Sequence, residues 1–263
     1  MEHPFTWYNL LPEALQHGMS DHTFFALIAA ILLLLFAFAA RGALAKAQDP
    51  AVPAAEFGVR NIAELLIQLV VSQSDQIIGK QGRRYVPFFA TFFIFILLSN
   101  LLGLLPGFAP PTGNLNTTLG LAICSFIGYN VIGVREQGGA YFKPFIGPMT
   151  SLPASSILGK LAFLPVLLLS AVFFFILEIF SHGFRPVSLS LRLFGNMMGD
   201  HEVIAAFISL TKVVVPVAFY AMGTLVSVIQ AFVFTLLSMI YVALAISHGH
   251  EEEHAHDAHQ SGH

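Results

Sequence analysis

Apolar positions in this chain gather in long unbroken runs, and the runs lay out its elements. After a mixed opening, residues 1–22, the stretch from Phe24 to Ala45 carries a single charge, Arg41. A bilayer core needs about 20 apolar residues of helix, so this stretch predicts a first membrane span. Asp21 and Thr23 are cap-type residues before it, and Arg41 can snorkel to the headgroups at its end. Val86 to Leu105 and Leu115 to Val134 predict the second and third spans, joined by the turn-forming residues Pro106, Gly107, Pro110, Pro111 and Gly113. Ser99 and Asn100 are the strongly polar members of the second span; Asn116, Thr117 and Thr118 open the third. Two longer apolar stretches follow, about 157–210 and 214–246. The first is too long for one perpendicular helix. It holds either two short helices or one strongly tilted helix bent near Pro186, with Pro165 a second place for a bend. One segment breaks the pattern. From Ala54 to Ile78, Glu56, Arg60, Asn61, Glu64 and Gln68 alternate with Phe57, Ile62, Leu65, Leu66 and Val70, after a linker with Pro50 and Pro53. That predicts an amphipathic helix along the membrane surface or packed on its neighbours.

The expected fold is therefore all-α and polytopic, with about five transmembrane helices and one surface helix. Composition agrees: 56% of the 263 residues are hydrophobic and only 10% charged, where soluble domains carry about 25%. The net charge of −3 and the scattered basic residues argue against a nucleic-acid partner. Residues 1–22 carry acids and no Lys or Arg, unlike a signal peptide, so the first apolar run is expected to be retained. Cys124, the single cysteine, reads as a small buried hydrophobe. Three parts are expected: an extracytoplasmic segment 1–23, a helical membrane domain 24–247 and a disordered tail 248–263 rich in His and Glu. Charge bias orients them. Residues 1–22 and 106–114 hold no Lys or Arg, whereas the connections 41–84 and 135–160 hold nine. By the positive-inside rule the N-terminus lies outside and the C-terminus in the cytoplasm, with Lys212 a mild exception.

The most unusual position is Arg192, set between Leu191 and Leu193. A guanidinium stays protonated at any ordinary pH, and at membrane depth it costs at least ~2.5 kcal/mol, which marks it as functional by default. At 100° per residue it shares a helical stripe with Glu178, Ser181, Arg185, Ser188, Asn196 and Gly199, all within about 40°. Glu178 lies ~21 Å away along an ideal helix, too far for a salt bridge. A fixed charge of this kind attracts a partner's carboxylate and favours its ionised form, yet cannot pass a proton on.

The segment Ser188–His201, SLSLRLFGNMMGDH, resembles the signature of subunit a of the F-type ATP synthase. That family pattern is an obligate arginine, then Leu-Phe-Gly-Asn, then a titratable residue nine positions after the arginine. Arg192, Asn196 and His201 fill those places. Ile229–Phe234, IQAFVF, is similar to the family's last helix, with its glutamine at Gln230, and Glu178 matches an acid found fourteen residues before the arginine. The resemblance runs from about Tyr85 to Ser247. It implies a stator subunit in a bacterial inner membrane, its last two helices a tilted hairpin around a ring of carboxylate-bearing c subunits. Peripheral-stalk b-type subunits and, indirectly, the catalytic subunits would be further partners. Two features of relatives are missing: the acid some carry at the place of Gly103, and the titratable group others carry at Gly223, seven before Gln230.

Transport needs polar access from both sides. Glu178, aided by Ser181 and His182, is placed to serve an inner path; the role of Arg185 is open. His201 lies about 180° round the helix from Arg192, and histidine titrates near neutrality, so it suits a separate outer path. Asp200 and Glu202 flank it, and Asn196 and Gln230 can donate to a carboxylate or brace the guanidinium. No phosphate-binding glycine loop, nucleophile elbow or zinc motif is present. No cofactor and no ATP chemistry are therefore expected of this chain, although the six tail histidines could hold a metal adventitiously. The rival readings are a self-contained ion channel or secondary transporter, and a non-transporting assembly factor.

Overall fold

A computed structural model of the chain describes residues 6–10, 12, 16, 18–46, 58–142, 157–210 and 214–247. The linker at Pro50 and Pro53, Lys143, Lys212 and the His-rich tail lie outside the described residues. Among the described residues six α-helices run in order: α1 (Asp21–Ala45), α2 (Val59–Ile77), α3 (Val86–Gly103), α4 (Leu115–Gln137), α5 (Ile157–Leu210) and α6 (Val214–Ser247). Five stretches of these residues, in every helix but α2, are long and apolar enough to cross a membrane. The chain is an all-α, multi-pass membrane protein.

The helix ends follow local chemistry. Ser20, with extended backbone, takes the N-cap place of α1. Asp21, expected there, instead stands in the first turn, where its carboxylate accepts from the His22 backbone N–H at 2.6 Å. Thr23 donates back to the Ser20 carbonyl at 2.7 Å. Between α2 and α3, Gly79 has a φ of 86°, a conformation that costs glycine nothing. A turn of 3₁₀ helix, Lys80–Tyr85, then leads into α3. It is pinned by Arg83, whose Nε and Nη2 donate to the Asp75 carboxylate at 2.9 and 2.7 Å. Pro87 sits in the first turn of α3, where its missing N–H costs no hydrogen bond.

The long stretch left open by its sequence is one helix. α5 runs 54 residues through both Pro165 and Pro186, which replaces the alternative of two short helices. Cys124 is exposed, not buried: α4 turns that position away from its own packing.

The chain divides into two compact units, one of residues 1–122 and 189–240, the other of 123–188 and 241–263. In the first, α2 packs on α1 and α3. It buries Ala63, Val70 and Ser74 and carries an Arg60–Glu64 ion pair at 2.6 Å. That favours the packed alternative for this amphipathic helix. Phe25, Phe89, Ile96, Leu193, Ala231 and Phe234 form the fully buried centre of this unit, with Phe92 and Phe234 ring centroids 5.6 Å apart. In the second unit Tyr129, Ile132, Tyr141, Val242 and Ala245 are buried. A Cβ on Gly133 would stand 2.5 Å from the Tyr141 ring and 3.1 Å from Ala245, so glycine lets those side chains close in. Lipid tails are as apolar as leucine, so such contacts hold by shape and polar pairing more than by escape from water.

Candidate functional site

Each unit carries its own polar cluster. In the first unit α5 buries Leu189, Ser190, Leu193, Met197 and Ile204 on one side. Arg192, Gly195, Asn196 and Gly199 fall on its exposed side. The spacing of the buried set, three to four residues, is that of a helix face, and Arg192 is off that face. Among the described residues no carboxylate pairs with it.

One turn beyond Arg192, Asn196 Nδ2 donates to Gln230 Oε1 on α6 at 2.6 Å. Gln230 is 3% exposed, and its own Nε2 finds no partner among the described residues. A buried amide donor without an acceptor is costly, so a donor is held ready there. Three residues earlier on α6, the Ser227 carbonyl meets Asn100 Nδ2 of α3 at a long 3.5 Å. Asn100 Oδ1 in turn accepts from Thr112 at 2.7 Å. Asn100, Thr112, Ser227 and Gln230 are all buried. Thr112 and Asn100 thus connect the loop before α4 to the backbone of α6 at Ser227, three residues before Gln230. On α5 itself, Ser190 shares a 3.1 Å hydrogen bond with Thr118.

The same loop borders a cavity of about 660 Å³, into which His201 faces. Its walls also include Asp21, His22, Asn114 and Tyr220. Gly107 closes one edge: its φ is +82°, and a Cβ there would lie 2.6 Å from the Trp7 indole nitrogen. The Trp7 backbone N–H donates to the Gly107 carbonyl at 3.0 Å, which ties the N-terminal segment to the rim. The two glycines singled out in the sequence differ in their surroundings. A Cβ at Gly103 would stand 2.3 Å from Pro110 Cβ and 2.8 Å from its backbone Cα. One at Gly223 would meet only side-chain ends, the nearer being Leu104 Cδ2 at 3.0 Å.

In the second unit, His182 Nε2 lies 2.9 Å from Glu178 Oε1, and His182 Nδ1 lies 3.2 Å from the Tyr129 hydroxyl. The Arg185 guanidinium sits over the Tyr129 and Tyr241 rings, 5.8 and 5.4 Å from their centroids, within cation–π range. Nearby, Tyr141 donates to Asn130 Oδ1 at 2.7 Å. Burial pushes the Tyr141 hydroxyl up to about 12, so it stays a donor at any physiological pH.

The sequence-predicted residues thus fall into three sets. Asn196 and Gln230 are brought together, His201 reaches the cavity, and Glu178 meets His182. Asp200 and Glu202 do not line the cavity, and Ser181 is exposed. Sequence reasoning gave no role to Thr112, Tyr129, Tyr220 or His22. Asn100 carried a signal, as a strongly polar residue in an apolar span.

Comparison with known proteins adds the rest. Residues 23–243 match the family described as ATP synthase A chain. The ATP synthase subunit a of Bdellovibrio bacteriovorus is 43% identical over 94% of this chain and 99% of its own length. The ATP synthase subunit a 1 of Syntrophotalea carbinolica is 39% identical over 95% of this chain and 100% of its own. The ATP synthase subunit a of Geobacter sp. (strain M21) is 36% identical over 95% of this chain and 100% of its own length. Carrying that family's match over most of its length, the chain belongs to the ATP synthase A chain family.

Proposed function

We propose that this chain is the proton-conducting stator subunit of a bacterial F-type ATP synthase, with Arg192 between two offset half-channels. The observation that carries the reading is the state of Arg192: a permanent cation on the exposed side of α5, with no carboxylate of its own among the described residues and the Asn196–Gln230 pair one turn away. Such a charge suits an acid supplied from outside the chain. The side chains of α5 from Val172 to Leu177, with Phe180, Phe184 and Val187, are likewise exposed and apolar, which suits a ring of hydrophobic hairpins as the neighbour.

Protons enter from outside through the cavity at His201 and reach a c-subunit carboxylate near Asn196 and Gln230. They leave toward the cytoplasm past Glu178 and His182. Arg192 draws each returning carboxylate to its ionised form, which releases the proton, and its fixed charge bars direct leakage between the paths. The chain performs no catalysis alone; ATP chemistry belongs to partner subunits. The cytoplasmic membrane is the setting, with the N-terminus outside.

Flux separates this from a self-contained channel. The purified chain in vesicles is expected to conduct no protons without the ring. Conduction by the chain alone would establish the channel reading instead.

A further inference from the structure

We infer that Tyr129 is a positioning residue of the inner path, its hydroxyl holding the His182 ring so that Nε2 faces Glu178 in both protonation states. The inference rests on the reading of Glu178 as an inner-path acid and gives that acid a proton partner. Tyr129 belongs to α4, 49 residues before Glu178 in sequence, and nothing in the α4 pattern marks it.

The geometry is a three-member chain. Glu178 Oε1 and His182 Nε2 are 2.9 Å apart; His182 Nδ1 and the Tyr129 oxygen are 3.2 Å apart. A neutral imidazole has one N–H and one lone pair. With Glu178 ionised, Nε2–H donates to the carboxylate and the Tyr129 O–H donates to the Nδ1 lone pair. Transfer of a proton from Glu178 starts from the other neutral tautomer, whose Nδ1–H donates to the Tyr129 oxygen and whose Nε2 lone pair accepts from the protonated carboxyl. The O–H bond breaks as an Nε2–H bond forms, and no other bond changes. That leaves a carboxylate and an imidazolium, and Nδ1–H donates to the Tyr129 oxygen. A hydroxyl both donates and accepts, so Tyr129 satisfies Nδ1 in either state by turning its hydrogen. No electrons change hands, and the proton is conserved throughout.

The surroundings confine the ring. Tyr129 is 1% exposed, so its hydroxyl has to find its partner within the chain. The Tyr129 and His182 rings stack with centroids 6.2 Å apart and planes 28° apart. The charged and titratable groups around them are Glu178 and Arg185 on α5, Tyr241 on α6 with its ring 5.8 Å from that of Tyr129, and Tyr141 in the turn after α4, bonded to the neighbouring Asn130. Arg185 lies over both Tyr129 and Tyr241 and so clamps the ring that carries the hydroxyl.

The test uses the complete synthase in vesicles, with ATP-driven proton pumping measured per assembled complex across a pH series on the cytoplasmic side. Tyr129→Phe keeps the stacked ring and removes only the hydroxyl. His182→Gln leaves Tyr129 intact and keeps an amide in reach of Glu178, but offers nothing at Nδ1. Each is expected to slow pumping about fivefold, the worth of one lost hydrogen bond, and to change the pH profile. The double variant is expected to be no slower than His182→Gln alone. The inference is overturned if either single variant matches wild type while Glu178→Gln is slow, or if the two losses multiply. Wild-type pumping by Glu178→Gln is a different result: it removes Glu178 from the inner path, and the reading beneath this inference with it. Because His182→Gln does not touch Tyr129, the test survives any failure of Tyr129→Phe to assemble.

Discussion

Asn196 of α5 and Gln230 of α6 are joined by a 2.6 Å amide hydrogen bond one turn from Arg192. The bond uses the oxygen of Gln230 and leaves its Nε2 buried without a partner among the described residues. The two long helices are therefore tied at the level of the arginine by a pair with a donor to spare. Replacing either amide with leucine is expected to lower proton-driven ATP synthesis. The double variant is expected to fall short of the sum of the two losses by about 1 kcal/mol, measured as a double-mutant cycle on the initial rate. Additive losses would show that the pair acts as separate contacts.

His201 shares its cavity with Asp21, His22 and Tyr220. His201→Ala is expected to shift the pH profile of synthesis when pH is varied on the outer side only. An unchanged profile, with normal assembly, removes His201 from the outer path.

At Gly103 there is no room. Gly103→Ala brings a Cβ to 2.3 Å from Pro110 Cβ and 2.8 Å from its Cα. Overpacking of this kind costs about 1–3 kcal/mol, and thermal unfolding of the assembled complex is the readout. An unshifted transition would mean that the Pro110 loop gives way freely. A longer, acidic side chain at this position is expected to be tolerated no better.

A pH effect is expected at the turn before α3. The Arg83 side chain holds the Asp75 carboxyl below the ordinary carboxylate range, chiefly through their hydrogen bond. A lowered native value means the pair stabilises the turn at and above the ordinary carboxylate pKa. That stabilisation is lost as the pH falls through the lowered native value. Hydrogen exchange of residues 75–83 is expected to quicken over that acid window and to be flat across it in Asp75→Asn. The pair is exposed, so salt is expected to weaken it.

Much of this was legible from residue order because lipid imposes a simple rule: apolar runs of sufficient length become helices. Arg192 stood out for the same reason, as a charge where charge is costly. The unread part is contact between distant segments. Nothing in Asp21 or His22 announces that they share a cavity with His201, and nothing in Tyr129 announces His182. Asp200 and Glu202 were grouped with His201 because they adjoin it. Successive helix positions turn by 100°, however, and of the three only His201 lines the cavity. The length and the two prolines of α5 left open either two short helices or one bent helix. One lost N–H each is a local defect, and the helix runs through both.

The central claim is that a cation of this chain resets acids that belong to its neighbour. Its most direct test is ATP synthesis driven by an imposed proton gradient in complexes carrying Arg192→Ala, with insertion and assembly verified by subunit content. The account predicts normal assembly and no coupled synthesis. Synthesis at the wild-type rate in that variant would contradict it.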